Sequence, residues 1–176
     1  LPTGERANRV FFVGTLTEIN DVGNDEEYLQ GRIVGPTGTF YVYAGQYQPE
    51  ATAYLRQAET PKYVSVVAKP RTYENDDGEI VMSFRPETIT EVNEATRTQW
   101  VTETADRTID RIRADEDSAY KLLVGEKYDD VDLTQYKEAV IEALESLQDG
   151  ERTNPEGDTE AKAEAEVDAE AEPTEQ

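Results

Sequence analysis

The sequence predicts a mainly β chain: a five-stranded Greek-key barrel with a helix between its third and fourth strands, followed by C-terminal helices and a disordered acidic tail. Three observations predict it. Five stretches between residues 9 and 92 are rich in β-branched and aromatic residues and are bounded by turn residues. A short helical pattern falls between the third and fourth of them. Within the strands, residues alternate at the period of two that a sheet with one buried face requires.

The first strand is Arg9–Asn20, with Gly14 as an expected bulge or barrel bend. Tyr28–Gly35 and Thr39–Ala44 flank the turn Pro36-Thr37-Gly38. Tyr63–Tyr73 and Ile80–Thr90 flank a charged hairpin carrying Asp77-Gly78, a strong turn signal. Pro49–Ala58 reads as a helix opened by Pro49, with Ala53, Tyr54 and Ala58 on one face. Strand parity divides inside from outside. Phe40, Val42 and Ala44, then Val64, Val66 and Ala68, then Ile80, Met82 and Phe84 are expected to point into the barrel. The order β-β-β-α-β-β is the plan of an OB-fold barrel.

Residues 93–114 read as a helix capped by Asn93, with Trp100, Val101, Thr104, Ala105, Thr108, Ile109 and Ile112 on one side. A short helical turn is expected at Ala119–Val124. A further helix spans Asp132–Gln148, capped by Asp132, ended by Gly150, and striped by Leu133, Tyr136, Val140, Leu144 and Leu147. Residues 151–176 hold Val167 as their one aliphatic side chain larger than alanine. They lack the apolar surface to offset ordering entropy and are expected to be disordered. Three regions result: a barrel domain at 1–92, a helical region at 93–150 that docks a partner or packs on the barrel, and an acidic tail at 151–176.

Composition narrows the function. Cysteine and histidine are both absent, which removes thiol and imidazole catalysis and Cys/His zinc sites. The sequence has no spaced acidic loop for Ca²⁺ or Mg²⁺. No catalytic residues, metal or other cofactor are expected, and the chain is read as a non-enzyme. No apolar run nears the roughly 20 residues that span a bilayer, so a cytoplasmic protein without membrane contact is expected. The net charge is −22, from 39 acidic and 17 basic side chains. The excess is distributed, with 14 acids to 8 bases over 1–92 and 14 to 7 over 93–148. Such self-repulsion opposes compaction, but salt at about 1 M shrinks the screening length to about 3 Å. The composition fits a protein adapted to molar salt.

The segments RVFFVGTLTEI, GRIVGPTGTFYVYAGQY and PKYVSVVAKPRTYENDDGEIVMSFRPETITEVNE resemble the OB-fold of replication protein A subunits. The resemblance covers about residues 9–93. It rests on the turn Gly35-Pro36-Thr37-Gly38, the strand Tyr63-Val64-Ser65-Val66-Val67-Ala68, and the charged hairpin leading to a last strand. Ala68 stands where many members carry glycine. The whole chain is most similar to the replication protein A-associated proteins of halophilic archaea. That likeness implies binding of single-stranded DNA without sequence preference in replication and repair. It also implies a replication protein A subunit as partner in a hetero-oligomer.

Single-stranded DNA is held by aromatic platforms and cations on one groove. The outward-facing set supplies Arg32, Tyr41, Tyr43, Lys69, Arg71, Tyr73 and Arg85 as candidate DNA-binding residues. Trp100, Ile109 and Ile112 are the candidate partner-interface residues. A pure protein-interaction module, with no direct DNA contact, remains the alternative. Convergence of Arg32, Tyr41, Tyr43 and Arg71 on one open groove discriminates between the two.

Overall fold

A computed structural model describes residues 7–74, 78, 80–117 and 133–153. The expected helical turn at 119–124, the cap at Asp132 and most of the acidic tail lie outside the described residues. Five strands, β1 (Val10–Asp21), β2 (Leu29–Gly35), β3 (Gly38–Ala44), β4 (Lys62–Glu74) and β5 (Ile80–Glu91), close a barrel in the order β1-β2-β3-β5-β4. All neighbours are antiparallel except β3 and β5, which meet in parallel at Val42 and Phe84. Helix α1 (Pro49–Gln57) lies in sequence between β3 and β4 and seats Leu55 in the core.

Alternation fills the interior as expected from β3 and β4, and β2 follows the same rule. Leu29, Ile33, Val42, Ala44, Val64, Val66 and Ala68 are buried. Phe12, Phe40 and Phe84 form an aromatic cluster. Phe12 stacks on Phe40 at 4.3 Å between centroids, and Phe84 meets both rings edge-on. Such geometry adds about 0.5–1.5 kcal/mol per pair beyond burial.

β5 departs from its expected pattern. Phe84 is buried, but Ile80 and Met82 are 79% and 52% exposed. They share the inward parity, yet they pair with Glu74 and Thr72 in a ribbon that runs on past the barrel, where that face meets water. Farther along β5 the parity itself switches. Val67 pairs with Thr88 and Ala68 with Pro86, so Glu87 is a bulge and Ile89 takes the inward position.

The bulge in β1 lies at Thr17, between Leu16 and Glu18, rather than at Gly14. Gly14 has a different use. A Cβ there would lie 2.7 Å from Ile33 Cγ2 and 2.8 Å from the Val34 carbonyl oxygen. Gly14→Ala is expected to destabilise the barrel by about 1–3 kcal/mol, because a backbone carbonyl cannot turn aside as a side chain can. Thermal unfolding that matches the parent would show that β2 yields freely at this point.

In α1 the buried face is Ala51, Thr52 and Leu55, with Tyr54 and Ala58 partly covered and Ala53 exposed. Helix α2 (Glu94–Asp117) starts where expected: Asn93 Oδ1 accepts from the Thr96 amide at 2.9 Å and the Thr96 hydroxyl at 2.8 Å. It lies against β1 and buries Val101, Ala105 and Ile112. Helix α3 (Thr134–Thr153) buries Val140 but leaves Leu144 39% exposed. It continues past Gly150, since a glycine in a helix costs only about 1 kcal/mol and does not by itself stop one.

Candidate nucleic-acid interface

The outside of the β2–β3 pair follows from its inside. With Gly31, Ile33, Val42 and Ala44 facing the core, Gln30, Arg32, Tyr41 and Tyr43 face out. Register sets Arg32 opposite Tyr41 and Gln30 opposite Tyr43. The β1 bulge turns Thr17 toward Arg32: Arg32 Nη1 donates to Thr17 Oγ1 at 3.2 Å, and the Thr17 hydroxyl donates to the Arg32 carbonyl at 3.3 Å.

Tyr43 is the hub of this wall. Its ring stacks on Tyr28 at 5.8 Å between centroids and 24° between planes. Gln30 Nε2 donates to its hydroxyl at 2.7 Å. Tyr73 reaches the same place from β4. The electrostatic effect of Tyr43, followed by loss of hydration and a hydrogen bond with Tyr43, raises the Tyr73 hydroxyl above its ordinary pKa. Tyr28, just before β2, and Tyr43, near the end of β3, thus stack; Tyr73, near the end of β4, lies close enough to Tyr43 to feel its hydroxyl, and Tyr41 stands beside them on β3, 37% exposed.

The cations divide into two kinds. Lys69 lies 3.5 Å from Glu87, which also accepts from Arg9 at 2.8 Å. Arg9 is the main reason the Glu87 carboxyl sits below its usual pKa. Arg32, Arg71 and Arg85 form no salt bridge among the described residues. Lys69 and Arg85 face each other across β4 and β5. Lys69, Arg71 and Arg85 line one cleft of ≈560 Å³ with Tyr47, Gln48 and Glu50. Arg85 and Tyr47 also line an adjoining cleft of ≈340 Å³, together with Tyr28 and the loop joining β1 to β2.

The structure therefore gathers Tyr43 and Tyr73 at one point, with Arg32 and Tyr41 in register beside them. It sets Lys69, Arg71 and Arg85 in a cleft that reaches the same wall through Tyr28. Compared with protein-family models and with curated protein sequences, the chain matches none. Solved structures similar to it include the mitochondrial single-stranded DNA-binding protein Rim1 of S. cerevisiae, at 22% identity and a TM-score of 0.39, covering 49% of this chain and 94% of that one. The small single-stranded DNA-binding protein of Streptomyces coelicolor is 19% identical over 50% of this chain and 95% of its own, with a TM-score of 0.34. An OBody, NL8, bound to hen egg-white lysozyme, is 12% identical over 50% and 97%, with a TM-score of 0.40.

Two rings at the site are not among the sequence candidates, Tyr28 and Tyr47. Tyr28 shares the outward parity of Arg32 on the expected second strand but falls just before β2, and Tyr47 lies in a connection, where no periodicity marks the exposed side. The loop before Tyr28 is closed by Asp21, whose Oδ1 accepts from the amides of Gly23 at 3.0 Å and Tyr28 at 3.1 Å. Those two bonds hold the Asp21 carboxyl below its usual pKa. A Cβ on Gly23 would fall 1.9 Å from the Glu26 carbonyl oxygen, so the loop requires glycine there.

The three candidate partner residues are occupied within the chain. Trp100 packs against the barrel core, Ile112 is 3% exposed, and Ile109 is half-buried. A partner that used them would have to displace this packing. Among the described residues, no group of three or more Asp and Glu is placed to hold a metal ion. No described helix is long and apolar enough to cross a membrane.

Proposed function

We propose that the outer wall of the barrel binds single-stranded DNA by stacking bases on its tyrosines, with Arg32, Arg71 and Arg85 meeting phosphates. The observation that carries this reading is the meeting of Tyr28, Tyr43 and Tyr73 on a face that also holds the Arg32–Tyr41 pair. Rings fixed by neighbours lose little freedom on binding, so more of the stacking energy appears as affinity.

A net charge of −22 is unusual for such a role. Binding through counterion release fades as salt rises, whereas base–aromatic stacking, about 1–3 kcal/mol per base, is an apolar term that persists. A wall rich in tyrosine with a few arginines that form no salt bridge among the described residues suits strong salt. We further propose that the protein serves replication and repair beside a replication protein A subunit. This rests on the likeness of the barrel segments to that family.

Titration with oligo-dT in about 2 M KCl, where screening is near complete, tests the first proposal. Saturable quenching of tyrosine and tryptophan emission is expected. Absent quenching, together with tight binding of a partner subunit, overturns it in favour of a protein-interaction module. Copurification from the native source with and without nuclease tests the second: a subunit retained after nuclease supports it, and one lost with the DNA overturns it.

A further inference from the structure

At the α1 end of the wall stands a ring that the barrel does not use. Tyr47 is 82% exposed. It sits in the short connection from β3 to α1, and that connection is held on every side. The Gln48 amide donates to the Gly45 carbonyl at 2.9 Å, and the Gly45 amide donates to Gln48 Oε1 at 3.3 Å. The Thr52 hydroxyl donates to the same Gly45 carbonyl at 3.0 Å. Gln46 Nε2 donates to Glu26 Oε2 at 2.8 Å, tying the turn to the loop that leads to Tyr28. A large ring presented to water on a braced turn contributes little to folding and pays little entropy on binding a ligand.

The two clefts beside Tyr47 indicate what would lie there. Tyr47, Gln48 and Arg85 line both, so the cationic cleft of Lys69 and Arg71 is continuous with the cleft that reaches Tyr28. Tyr28 in turn stacks on Tyr43, the hub of the wall. An aromatic track thus leaves the β2–β3 face at Tyr28 and ends at Tyr47; its connecting cleft carries Arg85 beside Glu26, which accepts from Gln46, and Glu27, which pairs with Arg56, so cations gather only at the Lys69–Arg71 end. Two acids line the cationic cleft. Glu87 is neutralised by Arg9 and Lys69. Glu50 has no salt bridge among the described residues, so an uncharged base, rather than a phosphate, suits the Glu50 side.

We infer that Tyr47 is a stacking platform for a nucleotide beyond those held on β2–β3, with Arg71 and Arg85 taking the adjoining phosphates. The inference rests on the reading of the barrel as a single-stranded DNA binder and adds a path: past Tyr43 and Tyr28, then onto Tyr47.

Oligo-dT of graded length, from about 4 to about 16 nucleotides, the range of site sizes for such barrels, tests it by fluorescence titration in about 2 M KCl. Tyr47→Ala is expected to leave the shortest bound oligomer within about twofold of the parent and to weaken the longest by about tenfold, the loss of one stacked base. Tyr47→Phe should keep parental affinity at every length, and Arg85→Ala should follow the length dependence of Tyr47→Ala. Parental affinity of Tyr47→Ala at every length, or an equal loss at every length, overturns the inference while leaving the wall as a binding site. A parent protein that binds no oligomer overturns the underlying reading instead. Binding of a Glu-rich peptide that Tyr47→Ala abolishes, with no length dependence for DNA, would assign the cleft to a protein partner.

Discussion

Replacing Tyr41 and Tyr43 together with alanine is expected to weaken oligo-dT binding in about 2 M KCl by at least about 30-fold, from two stacked bases at about 1–3 kcal/mol each. The loss should exceed that single-base sum on the Tyr43 side. Tyr43 also positions Tyr28 through their stack and Tyr73 through its hydroxyl, so one truncation removes one ring and loosens two more. Lys69→Ala should cost less than about fivefold under the same conditions. Its ammonium is already shared with Glu87, and an exposed ion pair is worth only about 0.2–1 kcal/mol before salt screens it. Equal losses for the two variants, read by fluorescence titration, would remove the case for stacking as the main source of affinity.

The second large effect falls on stability. Leu55 is 1% exposed and, with Ala51, carries α1 into the barrel core, as the larger of the two side chains. Leu55→Ala is expected to destabilise the fold by about 2–5 kcal/mol, the transfer of its methyl groups plus the cavity they leave. The site has little room to collapse. A Cβ on Gly31 would lie 3.4 Å from Leu55 Cδ2 and 2.9 Å from Val42 Cγ2, so the surrounding backbone is already in close contact. For a domain of this size the melting temperature should fall by about 10 °C or more. A shift of only a degree or two would show that α1 is not seated by this residue. The change also reaches function, because the turn bearing Tyr47 is anchored through Thr52 of the same helix.

Much of the barrel was legible before any coordinates, because period-two alternation and turn residues are local signals. Val42 and Ala44, and Val64, Val66 and Ala68, followed their parity into the core. Ile80 and Met82 did not, since parity states which face a residue shares but not where the barrel ends. Ile89 was invisible to the same rule because the bulge at Glu87 shifts the count by one. The bulge at Thr17 rather than Gly14 has a similar origin. A glycine signals close backbone approach, which Gly14 does show against Ile33 and Val34, without saying which device requires it. Of the wall, Arg32, Tyr41 and Tyr43 could be read from their strands. Tyr28 shares the parity of Arg32 but is not among the sequence candidates, and Tyr47 lies in a connection with no pattern to mark it; the importance of both depends on which loops the closed barrel brings side by side.

The manner of closure bears on the width of the groove. The β4–β5 ladder runs unbroken in sequence from Val64–Glu91 to Glu74–Ile80 apart from its one bulge, whereas β3 and β5 share the single registered pair Val42–Phe84. A cylinder parts most readily where the fewest bonds cross it. Tyr41 and Tyr43 ride on one side of that seam and Arg85 on the other. The gap between stacking rings and guanidinium is therefore spanned by fewer registered backbone pairs than the β2–β3 and β4–β5 ladders on either side of it.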